Sequence, residues 1–386
     1  MNLSYLVNDY VTLILLILFV IATVWLCVYY GMTFMKIGRK GRTKKDLKAL
    51  LEKQKSAQSA HSTPGVSVVM VAHNEGKYLR ENLVYLLEQD YPDFEVVVVD
   101  YKSTDDTKFV LQVCGQNYPN LKSVSMPEDV NMYQGKKLPL SIGIKSAQND
   151  IILLVEADSR PVGFSWIREM VEPYLEKKTK IVLGYSGISH EKGLLNMLEQ
   201  YDNLCYSAGY LSRALSGRAT TGVGRNLSYR KQFFFSKGAF TSHYKEEFGA
   251  DDLFVNQNAD EQNTKVVFGP ESRVEMEARK SFGQWHLMRK HREATFRLHP
   301  ASEQIRRMLY PLGVAVFYGS LAALLALGFP WYLPVGVMVL KFVWQIISFL
   351  KLCGQFEVKF VGWFSPLFEI YFLFANTILR IFTLHR

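Results

Sequence analysis

Residues 66–100 read VSVVMVAHNEGKYLRENLVYLLEQDYPDFEVVVVD. Two runs rich in β-branched residues, VSVVMVA and FEVVVVD, flank the amphipathic stretch KYLRENLVYLLEQ. A strand, a helix and a strand at this spacing predict parallel strands joined by a right-handed crossover. The pattern continues downstream with a helix in TDDTKFVLQVCGQN, a strand in LKSVSM, a helix in PLSIGIKSAQ and a strand in DIILLVEAD. The sequence therefore predicts a doubly wound, Rossmann-like α/β domain with a mostly parallel sheet.

Polar residues follow three of these four strands, where such sheets bind their ligands. In LLVEADSRP (residues 153–161), Glu156 and Asp158 stand two residues apart in a segment predicted to be extended, so they point the same way and repel unless a positive group lies between them. Such a pair suits a divalent cation that is completed by water and substrate phosphates. A helix cap or a pair of surface acids would give the same letters.

Two further motifs predict contacts to a nucleotide. Asp100 ends the strand of VVVVDYKSTDDT, where a carboxylate can accept hydrogen bonds from a base or a ribose, and the next turn offers backbone donors. The Ser-Thr-Asp-Asp of that turn also matches a simple helix cap. In GKKLPLSIGI (residues 135–144), two lysines before a helix would neutralise phosphates, although a solvated basic loop explains them equally well.

Apolar segments lie at both ends of the chain. Val11–Tyr30 carries no charge over the length that a membrane-spanning helix needs, and the basic residues follow it, which favours a retained anchor over a cleaved signal peptide. Tyr310–Gly328 and Trp331–Leu350 also suit spans. Trp363–Ile381, interrupted by a proline, is a third C-terminal candidate that would be spanning, tilted, re-entrant or interfacial. Within these segments Lys341 and Glu369 are interpreted as snorkelling, as a mutual ion pair, or as the polar lining of an acceptor or product path.

The net charge of +9 does not indicate a nucleic-acid partner, because no nucleic-acid-binding motif accompanies it. Much of the positive charge lies in Lys36–Lys55 and Arg289–Arg307, each beside an apolar block, which places the middle of the chain in the cytoplasm. The four cysteines form no CxxC or metal-binding spacing, in agreement with a reducing compartment.

Taken together, the ordered motifs resemble those of the membrane-bound family 2 glycosyltransferases, which have the GT-A fold. The resemblance covers residues 66 to about 292 and is carried by six segments: Ala72–Glu75, Val99–Thr107, Gly135–Ile144, Glu156–Asp158 in place of Asp-x-Asp, the acceptor-side TGVGRNLSYRK (221–231), and the acidic GADDLF (249–254). Tyr101 and Ser141 depart from the family's acid and asparagine.

The resemblance implies a role for each matching residue. Asp100 would contact the nucleoside, Asp158 would be the main ligand of Mg²⁺ or Mn²⁺, and Glu156 would reach the ribose, the metal or a metal-bound water. Asp251 would be the general base, with Asp252 as its rival because the motif aligns in two ways. Further residues expected to line the donor site are Ala72, Asn74, Glu75, Ser103, Asp105, Lys136, Arg225, Trp285 and Arg289.

The segment WHLMRKHR is similar to the family's Trp-x-x-Gln-Lys-x-Arg, in which Trp285 would stack on a sugar ring and Arg289 would hold the diphosphate. Met288 stands where the glutamine of processive members is expected, which argues against a processive polymerase. An amphipathic segment on the membrane surface is the alternative interpretation.

The predicted organisation is a transmembrane anchor (1–34), a basic cytoplasmic linker (35–65), a GT-A domain (66–307) and a C-terminal membrane region of two to three helices (308–386). The resemblance implies a metal-dependent inverting transferase at the inner membrane, with a cytoplasmic catalytic domain. It would move sugar from a nucleotide-sugar, UDP-sugar favoured, to a lipid-linked or glycan acceptor in polysaccharide or glycoconjugate synthesis. Transfer of one sugar to polyprenyl phosphate, or a non-catalytic nucleotide-sugar-binding scaffold, are the alternatives.

Overall fold

The computed structural model describes residues 3–40, 63–126 and 135–384. The chain divides into two compact units. The helical unit comprises Met1–Lys40, Gln200–Leu204 and His286–Arg386, and the sheet unit comprises Gly41–Glu199 and Cys205–Trp285. Most of the predicted basic linker, and the chain terminus at His385 and Arg386, lie outside the described residues.

The helices, in chain order, are α1 (Leu3–Tyr30), α2 (Lys36–Lys40), α3 (Gly76–Leu87), α4 (Thr107–Asn117), α5 (Lys137–Ser146), α6 (Trp166–Val171), α7 (Leu194–Ala214), α8 (Lys231–Ser236), α9 (Asp252–Asn258), α10 (Phe282–Glu293), α11 (Ala301–Ala326), α12 (Tyr332–Phe356) and α13 (Ser365–Leu384). A π-helical turn over Gly31–Met35 joins α1 to α2. Single 3-10 turns occur at Glu172–Leu175, Thr241–His243 and Phe296–Leu298.

The strands are β1 (Val66–Ala72), β2 (Phe94–Tyr101), β3 (Leu121–Met126), β4 (Ile151–Leu154), β5 (Ser159–Pro161), β6 (Ile181–Leu183), β7 (Ser186–Ile188), β8 (Leu227–Arg230), β9 (Thr264–Val266) and β10 (Val274–Met276). Among the described residues, seven of them form one sheet in the order β3-β2-β1-β4-β8-β6-β9. The pairs β2–β3, β1–β2, β1–β4 and β6–β9 are parallel, whereas β8 runs antiparallel to both of its neighbours. The mostly parallel α/β sheet that the sequence predicts is confirmed.

The strands of the sheet unit are apolar because they lie in its hydrophobic core. All seven residues of β1 are buried, as is typical of a parallel strand that is covered on both faces. Leu79, Leu83 and Leu86 of α3 recur at helical spacing and are buried in the same hydrophobic cluster as β1. A smaller sheet has the strand order β5-β10-β7 and is not predicted from the sequence. Its three strands all follow β4 in the chain.

Three described helices are long and apolar enough to cross a membrane, at Asp9–Gly38, Ala301–Ala326 and Tyr332–Phe356. Two of the three C-terminal candidates, which form α11 and α12, are therefore long and apolar enough to span a membrane. The third candidate forms the helix α13, and whether it spans, tilts or lies at the interface stays a prediction.

Lys341 of α12 and Glu369 of α13 form a buried ion pair within the helical unit. Their exposed fractions are 1% and 3%. The Glu369 carboxylate also accepts hydrogen bonds from Tyr30, Tyr310 (2.9 Å) and Tyr318 (3.2 Å). Of the interpretations offered by the sequence, the structure shows the mutual ion pair.

Removing one charge of this pair should be more damaging than removing both. Glu369→Gln leaves Lys341 buried without a counter-charge, a change that costs about 3–5 kcal/mol in soluble proteins. We expect it to lower the Tm of the detergent-purified protein more than the double change Lys341→Met with Glu369→Leu, measured by thermal unfolding. Lys359→Met, at an exposed position, is the control. A double variant less stable than the single one would contradict this expectation.

Candidate active site

Asp100 lies at the end of β2, paired in register with Ala72 at the end of β1. Its side chain is buried, with an exposed fraction of 6%. Among the described residues, no hydrogen-bond partner reaches its Oδ1 atom. A buried carboxylate oxygen without a partner is costly unless a ligand or water satisfies it. Asp100 is therefore available for the contact that the sequence predicts.

Asn74, Ser103 and Asp105 hold the turns after β1 and β2 together. Asn74 adopts a left-handed backbone conformation (φ +55°), donates its N–H to Ser103 Oγ (3.0 Å), and accepts at Oδ1 from the Asp105 amide (3.3 Å). The two carboxylate oxygens of Asp105 accept from the amides of Gly76 and Thr107, both at 3.0 Å. These side chains shape the loop around Asp100, and their direct contact with a donor stays a prediction.

The acid pair, Glu156 and Asp158, lies in a turn after β4, which ends earlier than predicted, at Leu154. The positive group between the two acids is Arg225. Its Nη2 atom lies 2.6 Å from Glu156 Oε2, and its Nε atom lies 3.4 Å from Asp158 Oδ1. Burial acts to raise the pKa of both carboxyls, but Arg225, together with Lys136 at Glu156 and with Arg279 and the Ser159 hydroxyl at Asp158, holds both pKa values below their usual range.

Two more cations reach the acid pair. Lys136 Nζ lies 3.5 Å from Glu156 Oε1, and Arg279 Nη2 lies 3.0 Å from Asp158 Oδ2. The structure thus places three cationic side chains against the acid pair, of which Lys136 and Arg225 are predicted to line the donor site and Arg279 is not; their contact with a donor stays a prediction.

Glu75 lies in the same group of charges. Burial first, and then the charges of Glu156 and Asp158, raise the pKa of Glu75 to about 7 against the opposing effect of Lys136. Its Oε2 atom, like Asp100 Oδ1, has no hydrogen-bond partner among the described residues. Two buried carboxyl oxygens, one just after β1 and one at the end of β2, therefore have no hydrogen-bond partner among the described residues.

Asp251 caps the N-terminus of α9 and is held by two backbone amides. Its Oδ1 accepts from Asp252 N (2.9 Å), and its Oδ2 accepts from Gly224 N (2.8 Å), next to Arg225 in the chain. Burial and the neighbouring charge of Asp252 raise the pKa of Asp251 to about 6. A carboxylate with a pKa this close to neutrality is well suited to general-base chemistry.

The two candidate bases have different surroundings. Asp252 is buried in the first turn of α9, and its charge acts on His243 and, together with that of Asp251, on Lys137. Asp251 instead contacts the segment that carries Arg225. This arrangement favours Asp251 as the base.

Lys137 holds backbone carbonyl groups, whereas its place in the sequence predicts a phosphate contact or a solvated basic loop. Its Nζ donates to the carbonyl oxygens of His243 (2.7 Å), Glu246 (2.6 Å) and Phe248 (2.6 Å), and the residue is 3% exposed. It therefore fixes the segment that leads to Asp251. Its ammonium is therefore engaged by backbone carbonyls, whereas Lys136 Nζ lies 3.5 Å from Glu156 Oε1.

Trp285 and Arg289 belong to different units. Trp285 of the sheet unit is fully buried, and its ring makes an edge contact with Phe282 at a centroid distance of 6.2 Å. Arg289 of the helical unit is paired with Asp202 (3.4 Å) and lies over the Phe372 ring. Their roles toward the sugar and the diphosphate stay predictions.

The described residues contain no group of three or more His, Cys, Asp or Glu side chains that could hold a metal ion. A hard divalent cation needs only one or two protein carboxylates when water and substrate phosphates complete its shell. The acid pair fits that donor set in type, with Asp158 and Glu156 as the carboxylates.

Residues 67–234, which include β1, the acid pair and Arg225, match the family model described as Glycosyl transferase family 2. This segment is thus similar to the domain that defines that family. Among its curated relatives, the probable glycosyltransferase YdaM of Bacillus subtilis is 27% identical over 146 residues, which is 37% of this chain and 34% of that protein. A Methanococcus voltae dolichyl N-acetyl-alpha-D-glucosaminyl phosphate 3-beta-D-2,3-diacetamido-2,3-dideoxy-beta-D-glucuronosyltransferase is 28% identical over 177 residues, which is 44% of this chain and 50% of that protein. The matches thus span one half or less of these relatives.

A solved structure supports the fold. The mannosyltransferase PcManGT of Pyrobaculum calidifontis, solved in complex with GDP-Man and Mn²⁺, superposes with a TM-score of 0.51. The superposition covers 86% of this chain and 96% of that one at 17% identity. The predicted GT-A fold is confirmed.

Loss of the Lys137 ammonium should loosen the segment before Asp251. A hydrogen bond to a charged group is worth about 1.5–3 kcal/mol, so we expect amide hydrogen exchange across residues 243–252 to become at least about tenfold faster in Lys137→Met. Lys145→Met, at an exposed position of the same helix, is the matched control. Unchanged exchange in Lys137→Met would show that the three carbonyl contacts do not hold the segment.

Proposed function

We propose that this protein is an inverting, metal-dependent glycosyltransferase that moves a sugar from a nucleotide-sugar to a lipid-linked or glycan acceptor. The observation that carries the proposal is the placement of Arg225. Its side chain bridges Glu156 and Asp158, while the amide of the preceding Gly224 holds the candidate base Asp251. One short segment thereby connects an anion-binding, metal-compatible group with a base of near-neutral pKa.

The donor would be bound by groups at the strand ends. Asp100 Oδ1 and Glu75 Oε2 are acceptors without a protein partner in the described part of the chain, and they suit the polar edges of a base or ribose. Lys136 and Arg225 supply positive charge for the diphosphate. Asp158 and Glu156 would hold Mg²⁺ or Mn²⁺, which when bound stabilises the negative charge of the leaving diphosphate.

Asp251 would act on the acceptor. In its ionised form it takes the proton from an acceptor hydroxyl, and the hydroxyl oxygen then forms its bond to the anomeric carbon as the bond to the diphosphate breaks. Attack from the face opposite the leaving group gives a single displacement with inversion. Lys137 keeps the segment before this carboxylate in place.

The helices that could span a membrane support a lipid-linked acceptor. Three helices could span a bilayer, and basic residues beside the apolar blocks favour a cytoplasmic catalytic domain at the inner membrane. A relative's name includes a dolichyl-linked sugar phosphate, which agrees with a lipid-linked acceptor. A UDP-sugar is the favoured donor by resemblance, although PcManGT was solved with GDP-Man.

A screen of UDP- and GDP-sugars for metal-dependent release of nucleoside diphosphate in membranes tests the proposal. We expect Asp158→Ala to lose metal-dependent donor binding.

Asp251→Asn should keep donor binding and lose about 10²–10⁴-fold in turnover, the usual contribution of a general base. Wild-type protein that binds nucleotide-sugar but releases no diphosphate with any acceptor or metal would identify a scaffold. A chloroform-soluble product without elongation would identify single transfer to polyprenyl phosphate.

The pH profile distinguishes the two candidate bases. Because Asp251 works ionised and its pKa is raised to about 6, turnover should fall below that pH and level off above it. Asp252→Asn removes a charge that raises this pKa, so the acidic limb should move to lower pH while the plateau is retained. Near-normal turnover in Asp251→Asn together with a lost plateau in Asp252→Asn would reverse the assignment.

A further inference from the structure

Both oxygens of Asp158 are engaged by cations. Its Oδ1 accepts from Ser159 Oγ (2.9 Å) and lies 3.4 Å from Arg225 Nε, and its Oδ2 lies 3.0 Å from Arg279 Nη2. The oxygens of Glu156 are likewise reached by Lys136 and Arg225. A metal ion that takes Asp158 as a ligand therefore approaches a carboxylate whose two oxygens each already face a guanidinium group, and like charge favours their displacement.

Arg279 is placed against Asp158 by the smaller sheet. It follows β10, whose Met276 pairs with Ser159 of β5. The Glu277 amide donates to the Asp158 carbonyl oxygen (3.0 Å), and the Arg279 amide donates to Glu199 Oε2 (3.1 Å). The Asp158 backbone is thus tied to the strand that leads directly to Arg279.

The side chain of Arg279 has unused hydrogen-bonding capacity. Its Nε atom is buried and has no hydrogen-bond partner within the described ranges, while Nη2 contacts Asp158 and the Met276 sulfur. An arginine fork binds phosphate as well as carboxylate, so it can exchange one for the other and keep its hydrogen bonds.

We propose that Arg279, with Arg225, is an exchangeable counter-ion of Asp158 that binds the diphosphate of the donor once the metal ion arrives. This inference rests on the proposed function. Three cationic side chains oppose a metal ion that arrives alone, whereas a nucleoside diphosphate draws the arginines away and adds its own oxygen ligands. Metal and nucleoside diphosphate should therefore bind with positive coupling, which is reciprocal between the two ligands.

Binding of Mn²⁺ to the purified full-length chain, with and without UDP or GDP, measures this coupling. In the wild type we expect the diphosphate to tighten Mn²⁺ binding by about 5- to 150-fold, the usual range of such couplings. In Arg279→Gln, Mn²⁺ alone should bind at least about fivefold tighter than to the wild type, and the coupling should shrink. Calorimetry and the spin-resonance signal of free Mn²⁺ both report the binding without turnover.

Two further variants sharpen the test. Arg279→Lys keeps the charge without the fork, so it should bind Mn²⁺ alone as weakly as the wild type and lose part of the coupling. Lys280→Gln removes the adjacent charge, which pairs with Glu191 and Glu277, and should behave as the wild type. Together they separate the role of Arg279 from a general change in charge or folding.

The outcomes are distinguishable. If the wild type shows coupled binding but Arg279→Gln binds Mn²⁺ alone no tighter, the counter-ion role of Arg279 is wrong and the proposed function stands. If the wild type binds neither UDP nor GDP in the presence of Mn²⁺, the proposed function fails, and this inference fails with it.

Discussion

The ion pairs around Arg225 are the interaction on which the site depends. Two carboxylates held near each other in a largely buried turn repel unless a positive charge compensates them, and Arg225 contacts both. Its position follows from β8, which begins at Leu227 and pairs antiparallel with β4. The antiparallel strand β8, which pairs with β4, thus places Arg225 next to the turn that carries Glu156 and Asp158.

The parallel half of the fold is predictable because its signals are local. The apolar runs of β1 and β2 and the helical spacing of Leu79, Leu83 and Leu86 specify these elements within short stretches of sequence. The sequence predicts β4 to extend to Asp158, because Val155 and Ala157 alternate with acids as they would in a strand. In the structure the strand ends at Leu154. Three-residue strands such as β5, β7 and β10 are too short to show a period.

The site was predictable where residues directly follow a strand and not where a contact depends on tertiary folding. Asp100, Glu156 and Asp158 are visible as polar endings of apolar runs. Arg279 lies 121 residues from Asp158, and Lys137 lies more than 100 residues from the carbonyls that it holds. No short motif encodes such distances, so an arginine and a lysine that matter to the site look in the sequence like ordinary surface charges.

The buried pair of Lys341 and Glu369 links α13 to α12 within the helical unit. The helix α13 carries the carboxylate that neutralises Lys341 of α12 and accepts a hydrogen bond from Tyr30 of α1. A chain ending after Phe356 would leave the buried Lys341 ammonium without the counter-charge of Glu369 and with the uncharged acceptor Gln345 Oε1 (2.9 Å). The C-terminal helix is therefore part of the charge balance of the helical unit, and a truncated protein that keeps Lys341 also needs α13.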